Sequence, residues 1–343
     1  MKTHELTIRF DSPAFLGGAD QTGTWRTPPF KAQLRHWWRM VMFAQYGFKL
    51  SMAELLAKES DLFGGIGTNS QGNANKSLIR LRLDRWRAGT MSEWKTAVAR
   101  IPLDSDSFVS GDRYMAYGPV SQKGSLTHAP AIAPGEAAVL SIAYKDEHAS
   151  VAKELNQTLE LMSYFGSVGG RSRNGWGSFQ LSTGDEVLNT PNGPLRYWID
   201  CLKEDWPHAI GRDDQGPLIW QTKTTCATWD RAMALLADTR LRLRETFPFE
   251  TSGKAGDVGD RHWLAYPVTK HAVGKWKQLR LPNTLRMKIR RNADGSFTGM
   301  VFHVPHKPPA GFGPLGDLER IWESAHRFLD SNSNLARLKD LAK

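Results

Sequence analysis

Cysteine is almost missing from this 343-residue sequence: only Cys201 and Cys226 occur, which excludes a disulfide framework and a cysteine-rich zinc site. Long apolar runs are missing too. The opening segment MKTHELTIRF has no apolar signal core, and no stretch approaches the roughly 20 residues needed to cross a bilayer. The expectation is a soluble, cytoplasmic protein. There is no G-x-x-x-x-G-K-[ST] loop, no G-x-G-x-x-G turn opening a helix and no G-x-S-x-G elbow, so no nucleotide-fold or nucleophile signature is present. Acidic side chains fall short of basic ones, 35 against 45, for a formal net charge of +10. That excess argues for an acidic partner and says nothing about fold.

The charge is uneven. Residues 1–190 carry 21 basic and 18 acidic side chains, whereas 191–343 carry 24 and 17. Lys270–Arg291 holds eight basic residues and no acidic one, in a window too apolar for a disordered tail, so it reads as partly folded basic surface. Hydrophobic residues at 40% suffice for sizeable cores, and the length predicts about two domains. The thirteen tryptophans are many; most should be core or interface residues, with a few able to stack on bases.

The densest local signal is Gly166–Leu181, GSVGGRSRNGWGSFQL, where five glycines separate Arg171, Arg173, Asn174 and Trp176. Glycine permits positive φ and close approach of another backbone, so Gly169 and Gly170 can turn their N–H groups toward phosphates. Guanidinium groups and an aromatic plane beside them suit a polyanion, RNA foremost. The alternative is a glycine-rich surface turn joining a helix to a strand.

Along the chain, Glu5–Phe10 alternates as a strand with one buried face. Thr27-Pro-Pro-Phe30 can open a helix. From Phe30 to Ala44, Phe30, Leu34, Trp37 and Val41 share one face, with Lys31, Arg35, Trp38 and Arg39 opposite. Ser51–Glu54 is a capping box for a helix to about Ser60. Leu78–Asp84 and Ala137–Tyr144 read as strands, Ser150–Phe165 as a helix and Trp176–Leu181 as a strand. Arg85–Ala133 is irregular, with a short helix near Ser92–Ala99, and suits an insertion or a binding loop.

Strand, helix, strand, strand, helix, strand is the order of a ferredoxin-like, or RRM-like, unit. Pro191–Pro217 is the linker candidate. A second unit follows: strand Leu218–Thr224, helix Trp229–Glu245, a glycine-rich connection at Ser252–Gly259, strands Leu285–Arg290 and Phe297–Val304 around an Asn292–Gly295 hairpin signal, and a C-terminal helix. Its last strand is missing from this pattern. The expected architecture is therefore α+β: two ferredoxin-like (RRM-like) domains with loop insertions, over 1–190 and 218–343, joined by the linker 191–217.

Four motifs in order carry a family resemblance: Ser12-Pro-Ala-Phe-Leu-Gly-Gly-Ala-Asp20, Arg26-Thr-Pro-Pro-Phe-Lys-Ala-Gln-Leu-Arg-His-Trp-Trp-Arg39, Asp61-Leu-Phe-Gly-Gly65 and Gly169-Gly-Arg-Ser-Arg-Asn-Gly-Trp-Gly177. With them the chain resembles the RAMP superfamily of CRISPR effector proteins, and within it the first Cmr-type subunits of type III-B complexes. The resemblance covers about residues 1–182; one departure is Ala32, where many RAMP proteins have glycine. It implies a tandem ferredoxin-like, non-catalytic RNA-binding subunit at one end of an antiviral RNA-guided complex. Its partners would be guide RNA, target RNA and neighbouring RAMP subunits. The residues placed near RNA are Lys31, Arg35, Trp38 and Arg39 of the helix and Gly169, Gly170, Arg171, Arg173, Asn174 and Trp176 of the loop.

Some RAMP proteins cleave RNA, so an endoribonuclease processing guide precursors is the alternative, and a protein-interaction scaffold a third reading. Metal-independent cleavage needs a general base and acid, commonly including His; His36, between Arg35 and Trp37, is the candidate. His303 and His306 are close but have no neighbouring carboxylate. Asp11, Asp20, Asp104, Asp106 and Asp112 show no spacing that singles out a metal-binding pair, and loop aspartates commonly shape turns. No cofactor, metal or catalytic residue is assigned.

Overall fold

The computed structural model describes residues 1–65, 74–95, 100–103, 107–145, 151–189, 193–249, 258–312 and 317–339. The first strand, β1 (Lys2–Phe10), buries Leu6, Ile8 and Phe10 on one face, as strand alternation requires. The proline pair stands in the first turn of α1 (Thr27–Gln45), where a missing N–H costs nothing. Ser51 and Glu54 cap α2 (Met52–Phe63) reciprocally, and Gly64, at φ 81°, ends it. Next come β2 (Arg80–Leu83), β3 (Arg100–Pro102), β4 (Phe108–Ser110), α3 (Gly111–Ala116), β5 (Ala137–Tyr144) and α4 (Val151–Phe165). The strand β6 (Phe179–Thr183) begins three residues later than expected, because Gly175 and Gly177 both take positive φ and keep Trp176 in the loop. It turns into β7 (Glu186–Val187).

These strands form an antiparallel sheet in the order β2-β5-β1-β6-β7. Leu6 stands opposite Leu140, and Phe10 opposite Phe179. Helices α1 and α4 pack together over it. The stretch 85–133 is less irregular than its sequence suggests: β3 and β4 pair as a hairpin, and isolated bridges tie Ala14 to Ile132 and Met91 to Ala131. Of the short helix expected at Ser92–Ala99, residues 92–95 are not helical and 96–99 lie outside the described residues.

The stretch 191–217, expected as a linker, holds β8 (Leu195–Tyr197), α5 (Trp198–Cys201), β9 (Ile210–Asp213) and β10 (Gly216–Pro217). They make a small sheet ordered β10-β9-β8, in which β8 and β9 run parallel. Beyond it lie β11 (Ile219–Thr222), α6 (Trp229–Glu245), β12 (Leu285–Arg291), β13 (Phe297–His303), α7 (Leu318–Ser331) and β14 (Leu335–Arg337). The second large sheet is antiparallel, in the order β12-β13-β11-β14. Its fourth strand, missing from the sequence pattern, is the three-residue β14. Most of the connection expected at Ser252–Gly259 lies outside the described residues. No helix among the described residues is long and apolar enough to cross a membrane.

The two halves interlock. Trp176, from the first, is fully buried among residues of the second core, its ring 5.8 Å from Trp229. Phe302, from the second, packs 5.0 Å from Phe165 in the first core. The edge of β12 meets the glycine loop: Met287 N–H donates to the Arg173 carbonyl at 2.9 Å, and Ile289 N–H to Ser178 Oγ at 3.0 Å. The buried Lys288 ammonium donates to the Phe179 carbonyl at 2.7 Å and to that of Ser163. This seam positions the groups described next.

Candidate nucleic-acid interface

The basic side chains of α1 turn toward α2. Glu59, 1% exposed, accepts from the Arg39 guanidinium at 2.5 and 2.8 Å and from Arg35 Nε. A buried carboxylate between two forks satisfies its lone pairs with charge-assisted bonds. The guanidiniums keep part of their surface, 39% for the Arg35 side chain and 35% for Arg39. Lys31 Nζ reaches the Phe63 carbonyl at 3.3 Å. Trp38 does not lie on this solvent side. It is 1% exposed, packs edge-on to Phe63 and donates its indole N–H to Glu154 at 3.2 Å. The reason is tertiary: α2 and α4 cover α1 on two flanks, so its buried arc is wider than one amphipathic face. Trp38 therefore cannot stack on a base in this arrangement.

The glycine loop is likewise packed inward. Gly169, at φ 91°, lies so close to the Phe15 carbonyl that a Cβ would stand 2.6 Å from it, and at Gly177 a Cβ would stand 1.8 Å from the Val168 carbonyl. The N–H of Gly170 donates to Phe15 and that of Gly177 to Pro13. These glycines serve close backbone packing, and the amides of Gly170 and Gly177 are already engaged within the chain. Asn174 is buried and donates to the Met115 carbonyl at 2.9 Å. Trp176 is 0% exposed, within 6 Å of the rings of Phe15, Trp94 and Trp229, and is no more available to a base than Trp38. The loop presents its two arginines. Arg171, at φ 57°, is exposed and donates to the Tyr117 carbonyl at 2.7 Å.

Arg173 enters a cavity of about 220 Å³ where both halves meet. Gln33, His36 and Trp37 line it from α1, Phe165 from the end of α4, Ser167 and Ser172 from the loop, and Pro207 and Arg286 from the second half. Among the described residues, no carboxylate lines it. Arg286 donates to His36 Nε2 at 2.9 Å while its Nε is sealed from solvent without a partner. Burial and Arg173 push the Arg286 guanidinium down to about 9, so it remains a cation at neutral pH. Burial alone lowers Arg173. Two largely desolvated guanidiniums with no ion pair among the described residues make a site for an oxyanion such as phosphate. The sequence pattern overlooked Arg286 as a site residue, though the acid-free window 270–291 held the signal.

His36 is tied to this arrangement. Because a guanidinium only donates, Nε2 must accept and the proton sits on Nδ1. Burial, then Arg286, Arg39 and Arg173, hold its pKa well below the usual histidine value. A neutral imidazole so held is a prop for Arg286 and no proton donor at neutral pH. His303 spends both ring nitrogens, on His326 and Thr284, each at 2.9 Å. Asp112 accepts from Trp94 at 2.7 Å, and Asp20 binds Thr22 in a turn. Asp11 is buried with neither oxygen hydrogen-bonded. Asp104 and Asp106 lie outside the described residues. Among the described residues, no group of three or more His, Cys, Asp or Glu side chains could hold a metal ion.

A family model for the RAMP superfamily matches residues 7–180. Among solved structures, the chain is similar to one in a type III-B Cmr-beta complex bound to cognate target RNA. Identity is 10% and TM-score 0.50, over 94% of this chain and 98% of the other. It is also similar to apo Cmr1 from Pyrococcus furiosus, at 14% identity and TM-score 0.48, over 92% of this chain and 90% of that one. At such identities the likeness is one of fold. No curated protein matches the chain.

Proposed function

The chain belongs to the RAMP superfamily, and from that premise we propose that it is a non-catalytic RNA-binding structural subunit at one end of a type III-B CRISPR effector complex. Guide and target RNA and neighbouring RAMP subunits are its partners. Each half is a ferredoxin-like unit. Supporting this, if the four principal strands of each half are numbered in chain order, both sheets read second, third, first, fourth, with the long helices between first and second and between third and fourth. Sequence choice would come from base pairing, and the protein would hold backbone, as in the protein contacts to the heteroduplex of RNA-guided DNA recognition.

The observation that carries the reading is the carboxylate-free cavity of Arg173 and Arg286 at the seam. The propped, neutral His36 supports a binding role over a catalytic one. The test uses the full chain with Arg173→Ala and Arg286→Ala together, checked for intact fold by circular dichroism, and labelled single-stranded RNA titrated across salt concentrations. RNA affinity should fall, and the slope of log affinity against log salt should shrink by roughly one unit per lost phosphate contact. Unchanged affinity and slope in a folded variant would defeat the proposal.

A further inference from the structure

A second set of guanidiniums, without an ion pair among the described residues, lies on the other side of the glycine loop. Arg240 and Arg244, on α6, sit 5.7 and 5.8 Å from the ring centre of Tyr114, and Arg244 also donates to its hydroxyl at 2.9 Å. Arg261 lines the same small cleft, of about 20 Å³, with its Nε sealed and unpartnered. Burial lowers Arg240 to about 10, against the pull of Tyr114 and with smaller contributions from Arg244, Arg171 and Arg261. No carboxylate forms an ion pair with these four among the described residues. Of the neighbouring acids, Asp238 and Glu245 are paired with Arg242 and Asp260 with Arg320, and Glu245 acts on Arg261 only at longer range. Like charges brought this close repel unless an anion sits among them.

Two alternations connect this cluster to the seam cavity. In the loop, Arg171 bonds the carbonyl of Tyr117, at the end of the helix α3 that carries Tyr114, and Arg173 enters the cavity. In β12, Leu285 and Met287 line the cleft of the cluster while Arg286 lines the cavity, as successive strand residues face opposite ways. We propose that Arg171, Arg240, Arg244 and Arg261 form a second phosphate-binding site, and that one RNA strand crosses the glycine loop with its backbone held in both sites. The inference rests on the RNA-binding reading above. Guanidinium forks with no competing carboxylate among the described residues, and Tyr114 beside Arg240 and Arg244, favour a phosphodiester strand over an acidic peptide.

The test pairs Arg240→Gln with Arg261→Gln in the full chain, with Arg171→Gln as a separate, exposed variant that leaves the α6 packing untouched. Binding of labelled single-stranded RNA is measured across salt, beside Arg173→Ala/Arg286→Ala. Weakening of about five- to tenfold for the pair, a smaller loss for Arg171→Gln and a further drop when both sites are removed together would support two sites on one strand. If only the cavity variants weaken RNA binding, the second site falls and the proposed function stands. If neither set does, both fall. If the cluster variants keep RNA affinity but lose a neighbouring subunit in co-purification, the cluster is a protein contact and the inference is overturned.

Discussion

The basic face of α1 and the arginines around the glycine loop differ little in composition, yet they are opposites in what they leave available. Arg35 and Arg39 converge on a buried Glu59 contributed by α2. Arg173 and Arg286 converge on a cavity that no acid lines among the described residues. A count of basic residues cannot separate the two, because the deciding residue in each case is a partner distant in sequence. What marks an anion site is the carboxylate it lacks.

The largest effect that tests this contrast concerns the loop's aromatic residue. If the loop is a packed seam that delivers two arginines, Trp176→Ala should act through stability, because its indole fills the junction with Phe15, Trp94 and Trp229. Loss of a fully buried tryptophan should cost about 3–5 kcal/mol, read by urea or thermal unfolding. Where the variant remains folded, RNA affinity should be nearly unchanged. A stable Trp176→Ala protein with weakened RNA binding would restore this residue to the interface.

Much of the architecture was legible in the sequence, and the reasons differ from element to element. The proline pair before Phe30, the Ser51–Glu54 box and the alternations around β1 and β5 are local signals, and each element formed where they lie. The strand β14 was missed because three residues, Leu335 to Arg337, are too few to show a period. The stretch 191–217 reads as a connection by its proline and glycine, and the structure adds short elements to it, with β8 and β9 paired across α5. Of the candidate site, Arg171 and Arg173 stand where they can meet a ligand. Trp38, Asn174 and Trp176 do not, since their burial depends on α2, α4, Met115 and the second core, none of which is encoded beside them. Arg286 lay inside a window recognised only as basic, without a hint of which of its eight cations would turn inward.

A middle-sized effect would break the contrast directly. Glu59→Gln removes the charge that holds Arg35 and Arg39 while keeping a side chain of similar shape. Because both guanidiniums are more than a third exposed, the loss should be modest, about 1–2 kcal/mol, measured by chemical denaturation. RNA binding should change in the opposite sense. With the carboxylate charge gone, α1 gains cationic character, and the salt slope should steepen by up to roughly one unit. A slope equal to that of the parent protein would mean that α1 stays out of the RNA path for a reason of position, beyond its charge balance.

The smallest effect belongs to Lys31, the basic residue of α1 that does not touch Glu59. Its ammonium donates to the carbonyl of Phe63, the last residue of α2, where helix carbonyls lack intrahelical partners and a cation is favoured. Lys31→Ala should therefore lower stability by about 0.3–1 kcal/mol, a shift seen in the unfolding midpoint. RNA affinity should fall less than about twofold, since a partly buried ammonium already bonded to a helix end contributes little to a distant anion. A fivefold loss would place Lys31 among the RNA contacts. It would also show that residues engaged within the chain can be recruited by RNA, which would remove the absence of a carboxylate as the feature separating the two regions.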